Sequence, residues 1–175
     1  QTIKSLIEYS SKDISTNANT KTALQRLYEL LVEFDIIDSL CNCNVFFKCE
    51  NFQHTGSFKY RAAINAIKKM PVEFKQTGVI THSSGNFAHA LARAAYELKI
   101  PCHIVMPNNT PNFKKSSVLS YTKNVIECES NLKAREFTTI EILKNKNLYF
   151  IHPSNNMDVI LGNSSCALEF VNDYP

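Results

Sequence analysis

Residues 78–107, GVITHSSGNFAHALARAAYELKIPCHIVMP, decide the fold. Segments 78–83 and 102–107 are short apolar runs that contain β-branched residues, and they predict strands. Between them, segment 85–98 carries apolar residues on one side at helical spacing: Phe87, Leu91, Ala94, Ala95 and Leu98. A strand, a helix and a second strand in this order predict a βαβ unit with parallel strands.

The alternation extends to both sides of this unit. Further strands are predicted at 44–50, 124–128 and 148–153, and further helices at 22–34, from Ser57 onward, at 111–121, 131–145 and 159–171. Strands that alternate with helices in this way are typical of α/β proteins with a parallel sheet. The predicted fold class is therefore α/β.

Composition excludes several functional classes. The chain has 175 residues, is 44% hydrophobic and carries a net charge of +3 without a basic stripe, so nucleic-acid binding has no support. No apolar run approaches the roughly 20 residues of a membrane helix, and the first residues do not resemble a signal peptide. Because the chain opens with Gln1 rather than Met, we expect a trimmed or partial sequence.

Six cysteines occur without a Cys-x-x-Cys pair. Cys102 and Cys128 lie in predicted strands, where a thiol behaves as a small apolar side chain. The simplest interpretation is a reduced, cytoplasmic protein. The spacing of Cys41, Cys43 and Cys49 matches no standard zinc pattern, so no metal site is predicted.

The turn THSSGN, residues 81–86, lies where the first strand of the unit ends and its helix begins. In open parallel sheets, ligands bind at this edge. Short polar side chains, a glycine and the free N–H groups of a helix N-terminus would form a seat for a carboxylate or a phosphate. The alternative is that Ser83, Ser84 and Asn86 only cap the helix.

HTGSFKYRAA, residues 54–63, places a lysine in the first turn of a helix, with Ser57 as the expected N-cap. The helix dipole disfavours a cation there. Lys59 also shares the apolar side of the helix that contains Ala62, Ala63, Ala66 and Met70. Both conditions favour the neutral amine that a Schiff base requires. The alternative is an exposed lysine on a frayed first turn.

The two motifs together resemble the pyridoxal-phosphate (PLP) enzymes of the tryptophan synthase β fold, also called fold type II. Within that group, the sequence is similar to the serine racemase and serine/threonine dehydratase branch, over its N-terminal half only. The resemblance implies three-layer parallel sheets, truncated before the second half of the larger domain. It divides the chain into the start of the larger domain (1–75), a small α/β domain (76–152) and a return to the larger domain (153–175).

The resemblance also implies roles for individual residues. Lys59 matches the lysine that forms the Schiff base with PLP, Phe58 the residue packed against the pyridine ring, and Asn86 the partner of the ring oxygen. Ser84 matches the serine that serves racemases as acid/base on the face opposite the lysine. The loop that binds the substrate carboxylate corresponds to Ser83, Ser84, Gly85, Asn86 and Phe87.

Three features depart from the family pattern. Phe87 replaces a histidine or threonine, which is harmless if the position contributes only its backbone N–H. Ala62 replaces a glycine, and the added methyl group would need space. The four glycines of the chain are far apart, whereas the family holds the cofactor phosphate in a glycine-rich run. The sequence therefore contains half of a cofactor site.

The resulting hypothesis is a PLP-dependent L-serine/L-threonine dehydratase (ammonia-lyase) or serine racemase. The resemblance implies L-serine or L-threonine as substrate and a homodimer for a full-length form. The rival hypothesis is a noncatalytic protein, either a truncated pseudoenzyme or a regulatory partner of a full-length paralogue. A longer reading frame with a glycine-rich run would favour the enzyme.

Overall fold

The computed structural model describes residues 36–173, which belong to two compact units divided between Phe47 and Lys48. In the described part of the first unit, residues 36–41 are helical, and the Val45 N–H donates a hydrogen bond to Asp38 Oδ1 at 2.6 Å. The helix predicted at 22–34 lies outside the described residues. The candidate site and all the helices and strands labelled below belong to the second unit.

The second unit contains four strands and five helices within the described residues. The strands are β1 (Val79–His82), β2 (Cys102–Pro107), β3 (Asn124–Cys128) and β4 (Tyr149–Phe150). The helices are α1 (Lys59–Lys69), α2 (Asn86–Glu97), α3 (Asn112–Leu119), α4 (Leu132–Asn145) and α5 (Met157–Asp173). Short 3₁₀ turns cover Glu50–Phe52, His54–Gly56 and Val72–Phe74. The predicted alternation of helices and strands is confirmed from α1 onward.

Two local predictions are wrong. Residues 44–49 form no regular structure and Glu50–Phe52 is a 3₁₀ turn, so the strand expected at 44–50 is absent. A short apolar run does not become a strand unless a neighbouring strand pairs with it. Ser57 does not cap α1, because its hydroxyl makes no hydrogen bond among the described residues and Phe58 occupies the N-cap position. The division into segments 1–75, 76–152 and 153–175 stays a prediction.

All strands of the sheet are parallel, and their order is β3-β2-β1-β4. The chain therefore adds β2 and β3 on one side of β1 and then returns to place β4 on the other side. Along the strands, Val79 and Ile104 belong to the core that includes α1 and α2, whereas Ile80 and Val105 pack on the side of α4. Burial on both faces explains why β1 and β2 are apolar without a polar alternation.

Helices α1 and α5 pack against each other at very short range. A Cβ atom added to Gly162 would lie 2.6 Å from Ala62 Cα and 2.7 Å from the Arg61 carbonyl oxygen. Ala62 is fully buried at this crossing. The methyl group that distinguishes Ala62 from the family glycine is buried here, and the two helix backbones can approach this closely because Gly162 has no side chain.

We expect Gly162→Ala to lower the free energy of unfolding by about 1–3 kcal/mol, the usual cost of overpacking a buried site. The measurement is urea denaturation followed by circular dichroism. Ser164→Ala, at an exposed position of the same helix, is the matched control and should change stability little. Equal effects of the two substitutions would contradict the close packing.

Three histidines are built into the second unit with little access to water. His82 and His103 are buried in strands, and His89 is half-buried in α2. Burial lowers the pKa of each below its ordinary value of 6.5. Nearby cationic groups act in the same direction: His152 and Arg135 at His82, Arg93 at His89, and Lys146 at His103.

Acidification through pH 6.5 is expected to destabilise the chain. The unfolded histidines bind protons at a higher pH than the folded ones, so the free energy of unfolding decreases as the pH falls through 6.5. Urea midpoints measured on either side of that value test this expectation. His103→Gln should reduce the pH dependence. A midpoint that rises on acidification would contradict it.

Candidate active site

The winding of the sheet reverses between β1 and β4. In open parallel sheets, the ligand crevice lies at such a reversal, outside the carboxyl ends of the two strands concerned. The residues that follow β1 begin at Ser83, and those that follow β4 begin at Ile151. His82 and His152 bring these ends together, with ring centroids 5.2 Å apart in an edge-to-face arrangement. The sheet topology therefore selects the edge at which the sequence predicts a site.

The loop after β1 presents backbone donors. The Ser83 N–H donates to the Val105 carbonyl at 3.0 Å, which continues the ladder, and the Gly85 N–H lies 3.4 Å from Ser83 Oγ. Gly85 is the N-cap of α2, and no side chain caps the helix there. Among the described residues, the N–H groups of Asn86 and Phe87 have no acceptor. This arrangement suits a carboxylate, and the alternative of capping by the loop side chains lacks the hydrogen bonds it needs.

Phe87 contributes to the loop only through its backbone. Its side chain is 3% exposed and packs in the apolar core with residues of α1. The departure from histidine or threonine therefore removes a polar side chain and leaves the N–H donor. By contrast, Ser83 and Ser84 are half-buried and Asn86 is exposed at the start of α2.

Lys59 is the first residue of α1. It is half-buried, and its Nζ lies 4.7 Å from the centroid of the Phe58 ring. The four residues predicted to share its side of the helix, Ala62, Ala63, Ala66 and Met70, are all buried. The amine thus lies beside an aromatic ring, at the boundary between the core and the solvent.

Lys59 and the loop are carried by two helices that pack directly against each other. Helix α1 contacts α2, and so does the His54–Gly56 turn that precedes α1. Tyr60, next to Lys59, donates a hydrogen bond from its hydroxyl to Glu97 in the last turn of α2. Helix α1 therefore crosses α2, whose first residue belongs to the loop. That the Lys59 amine faces residues 83–86 stays a prediction, as do the individual roles of the site residues.

The loop after β4 is a part of the site that sequence reasoning missed. His152 Nδ1 accepts hydrogen bonds from the N–H groups of Ser154 at 3.1 Å and Asn155 at 2.7 Å. His82 Nδ1 and Arg135 Nε are buried without a hydrogen-bond partner among the described residues. The polar run HPSNN, residues 152–156, overlaps the end of the strand predicted at 148–153 and could have revealed this loop, since the rule applied to THSSGN applies to it as well.

The described part of the chain contains no metal site, disulfide or membrane-spanning helix. No group of three or more His, Cys, Asp or Glu residues between 36 and 173 is arranged to hold a metal ion. All six cysteines are free thiols. None of the helices described is long and apolar enough to cross a membrane.

Comparison with known proteins identifies the family. The family model described as "Pyridoxal-phosphate dependent enzyme" matches residues 18–175. Serine racemase of Dictyostelium discoideum is 38% identical over 135 residues, which are 77% of this chain and 42% of that protein. The β-hydroxyaspartate dehydratase of Paracoccus denitrificans is 42% identical over 137 residues, which are 78% of this chain and 44% of that protein.

A solved structure agrees with these relatives. The processed form of threonine deaminase isoform 2 from Solanum lycopersicum superimposes with a TM-score of 0.74 at 28% identity, over 80% of this chain and 41% of that chain. The chain thus spans less than half the length of the relatives it matches. The parallel sheet, the reversal at β1 and β4 and the lysine helix are features of a PLP fold of type II. The chain belongs to the family of pyridoxal-phosphate-dependent enzymes.

Proposed function

We propose that this chain supplies the lysine-bearing and carboxylate-binding half of an L-serine/L-threonine dehydratase or a serine racemase. The observation that carries the proposal is the direct packing of α1, which begins at Lys59, on α2, which begins at the loop with two unpaired N–H groups. The names of the relatives support the substrate class, since they include a serine racemase, a dehydratase and a threonine deaminase.

The residues present fit PLP in three respects. Lys59 offers an amine at the boundary of the core, Phe58 an aromatic surface 4.7 Å from that amine, and Asn86 an exposed amide. A further polar group, the Ser57 hydroxyl two residues before Lys59, is buried with no hydrogen-bond partner among the described residues. PLP, when bound, withdraws electrons from the amino acid and thereby acidifies its α-proton.

The chain's own residues then bind the substrate and move protons. The N–H groups of Asn86 and Phe87 hold the substrate carboxylate, which fixes the orientation of the α-carbon. The Lys59 amine takes the α-proton from one side. In a racemase, Ser84 returns a proton from the other side; in a dehydratase, loss of the β-hydroxyl group leads to an oxo acid and ammonia. The cytoplasmic location and the homodimer expected from the sequence belong to the same proposal.

A noncatalytic role is the second candidate, and what favours it is that residues 1–175 include no glycine-rich run. The chain contains four glycines, and no two of them are close in sequence. A pseudoenzyme or a regulatory partner would need neither a reactive Lys59 nor a working Ser84. Chemical labelling of the lysine separates the two candidates.

Incubation with PLP of a protein of the relatives' full length that contains this chain, followed by borohydride reduction, should attach the cofactor to one peptide, the one that contains Lys59. Lys59 is the lysine that the family resemblance pairs with the cofactor aldehyde, and it lies half-buried beside the Phe58 ring. Mass spectrometry of a digest identifies the site, and Lys59→Ala is the control. Label distributed over exposed lysines such as Lys68 and Lys75 would favour the noncatalytic candidate.

Ser84→Ala should separate racemisation from elimination. In a protein of the relatives' full length that contains this chain, we expect D-serine formation to fall by about 10²–10⁴-fold, the usual contribution of a general acid or base. Production of pyruvate and ammonia from L-serine should largely persist. Both products are measured in the same assay, with Ser116→Ala, at an exposed position of α3, as the control.

Two outcomes of that assay would contradict the role of Ser84. Equal loss of both activities would mean that the hydroxyl group positions the substrate. Unchanged D-serine output would mean that the second acid/base lies elsewhere.

A further inference from the structure

The first turn of α1 lacks the usual means of fixing a helix N-terminus. Phe58 is at the N-cap position and has no side-chain acceptor, while Ser57 is extended and its hydroxyl has no partner among the described residues. The preceding Thr55 and Gly56 have φ angles of 63° and 68°. For a β-branched residue such as Thr55 this left-handed conformation is strained. The segment that carries Lys59 therefore needs other contacts to hold it.

Four side chains, His54, Tyr60, Arg93 and Glu97, supply such contacts; we call them the brace. The Tyr60 hydroxyl donates to Glu97 Oε2, and Arg93 Nε donates to Glu97 Oε1 at 2.8 Å. The His54 and Tyr60 rings lie 4.7 Å apart, and the Arg93 guanidinium lies 6.0 Å from the Tyr60 ring centroid. The brace ties the turn before α1 and the first turn of α1 to the last turn of α2.

The charges of the brace persist at neutral pH. The hydrogen bonds from Tyr60 and Arg93 hold the pKa of Glu97 below its ordinary value, so it remains a carboxylate. Burial, together with the bond to Glu97, raises the pKa of Tyr60 to about 12, so the hydroxyl remains a donor. A hydrogen bond to a charged acceptor is about twice as strong as one between neutral groups.

A second set of contacts holds α1 from another direction. Arg61 donates to both carboxylate oxygens of Glu50 at 2.9 Å and to Glu169 at 2.7 Å, and Glu169 belongs to α5. This network fixes α1 against α5. Among the described residues, the side-chain hydrogen bond that joins the first turn of α1 to α2 belongs to the brace, and the opposite end of α2 begins at the carboxylate loop.

We propose that Tyr60 and Glu97 are positioning residues for Lys59: their hydrogen bond substitutes for the missing helix cap and sets the orientation of the amine relative to α2. The role of the amine rests on the proposed function, whereas the orientation can be measured without it. Removing the bond should loosen the first turn and expose Lys59, while α1 remains anchored to α5 through Arg61.

Reductive methylation of the chain with formaldehyde and cyanoborohydride tests the proposal without any cofactor. Mass spectrometry of a digest gives the rate at Lys59 relative to Lys68, an exposed lysine of the same helix. We expect Tyr60→Phe and Glu97→Ala to raise this ratio about three- to tenfold. Glu97→Gln should largely retain the original ratio, because the amide oxygen still accepts a hydrogen bond from Tyr60. Tyr96→Phe, at an exposed position beside Glu97, is the control and should leave it unchanged.

A merely structural role would give a different pattern. If Tyr60→Phe lowers the melting temperature and the ratio stays constant, or if Glu97→Gln behaves as Glu97→Ala does, the proposal is wrong. Should Tyr60→Phe not fold, the comparison of the two Glu97 variants carries the test. Failure of PLP to label Lys59 would overturn the proposed function and leave the methylation result intact, so the two failures are distinguishable.

Discussion

The pairing of β4 with β1, rather than with β3, is the constraint on which the rest of the structure depends. Only two residues of β4, Tyr149 and Phe150, pair with Val79 and Ile80. Yet this short ladder requires the chain to cross from β3 to the far side of β1, and the crossover helix α4 packs on the face opposite to α2. The strand order therefore reverses at β1, and the crevice at this reversal receives the loops after β1 and β4.

The sequence predicts the elements of the second unit well because short apolar runs alternate there with longer segments that carry apolar residues at helical spacing. Strand β2 has the predicted bounds, and α2 ends within one residue of them at each end. The order of the strands was not predictable, because the apolar patterns of β1 and β4 do not specify which partner each takes. Strand 44–50 failed for the same reason: its pattern is suited to a sheet, but the sheet offers it no neighbour.

The candidate site, like the fold, could be predicted from the sequence only in part. The motifs around Lys59 and Ser83 could be found because each combines a helix start with residues unusual for that place. The residue type of Ser57 alone predicts an N-cap. In the structure Phe58 is at the N-cap position, after Thr55 and Gly56 in the left-handed conformation. The hydrogen bond between Tyr60 and Glu97 joins residues 37 positions apart, and no local sequence pattern predicts it.

Phe87 shows how packing and chemistry share one helix turn. Its side chain packs in the apolar core, whereas its backbone N–H group belongs to the loop and has no acceptor among the described residues. Core packing and hydrogen bonding at the loop therefore use different parts of the residue. A polar side chain at this position would add a hydrogen-bonding group to the site and withdraw an aromatic ring from the core between α1 and α2. The stability of the helix pair and the recognition of a carboxylate are thus separable at this residue.

The contact between Ala62 and Gly162 has a consequence for how such a chain can change over time. A Cβ atom at position 162 would meet backbone atoms of α1, namely Ala62 Cα and N and the Arg61 carbonyl oxygen. No change of side chain on α1 can relieve such a contact. Position 162 therefore accepts only glycine for as long as the spacing of α1 and α5 is kept.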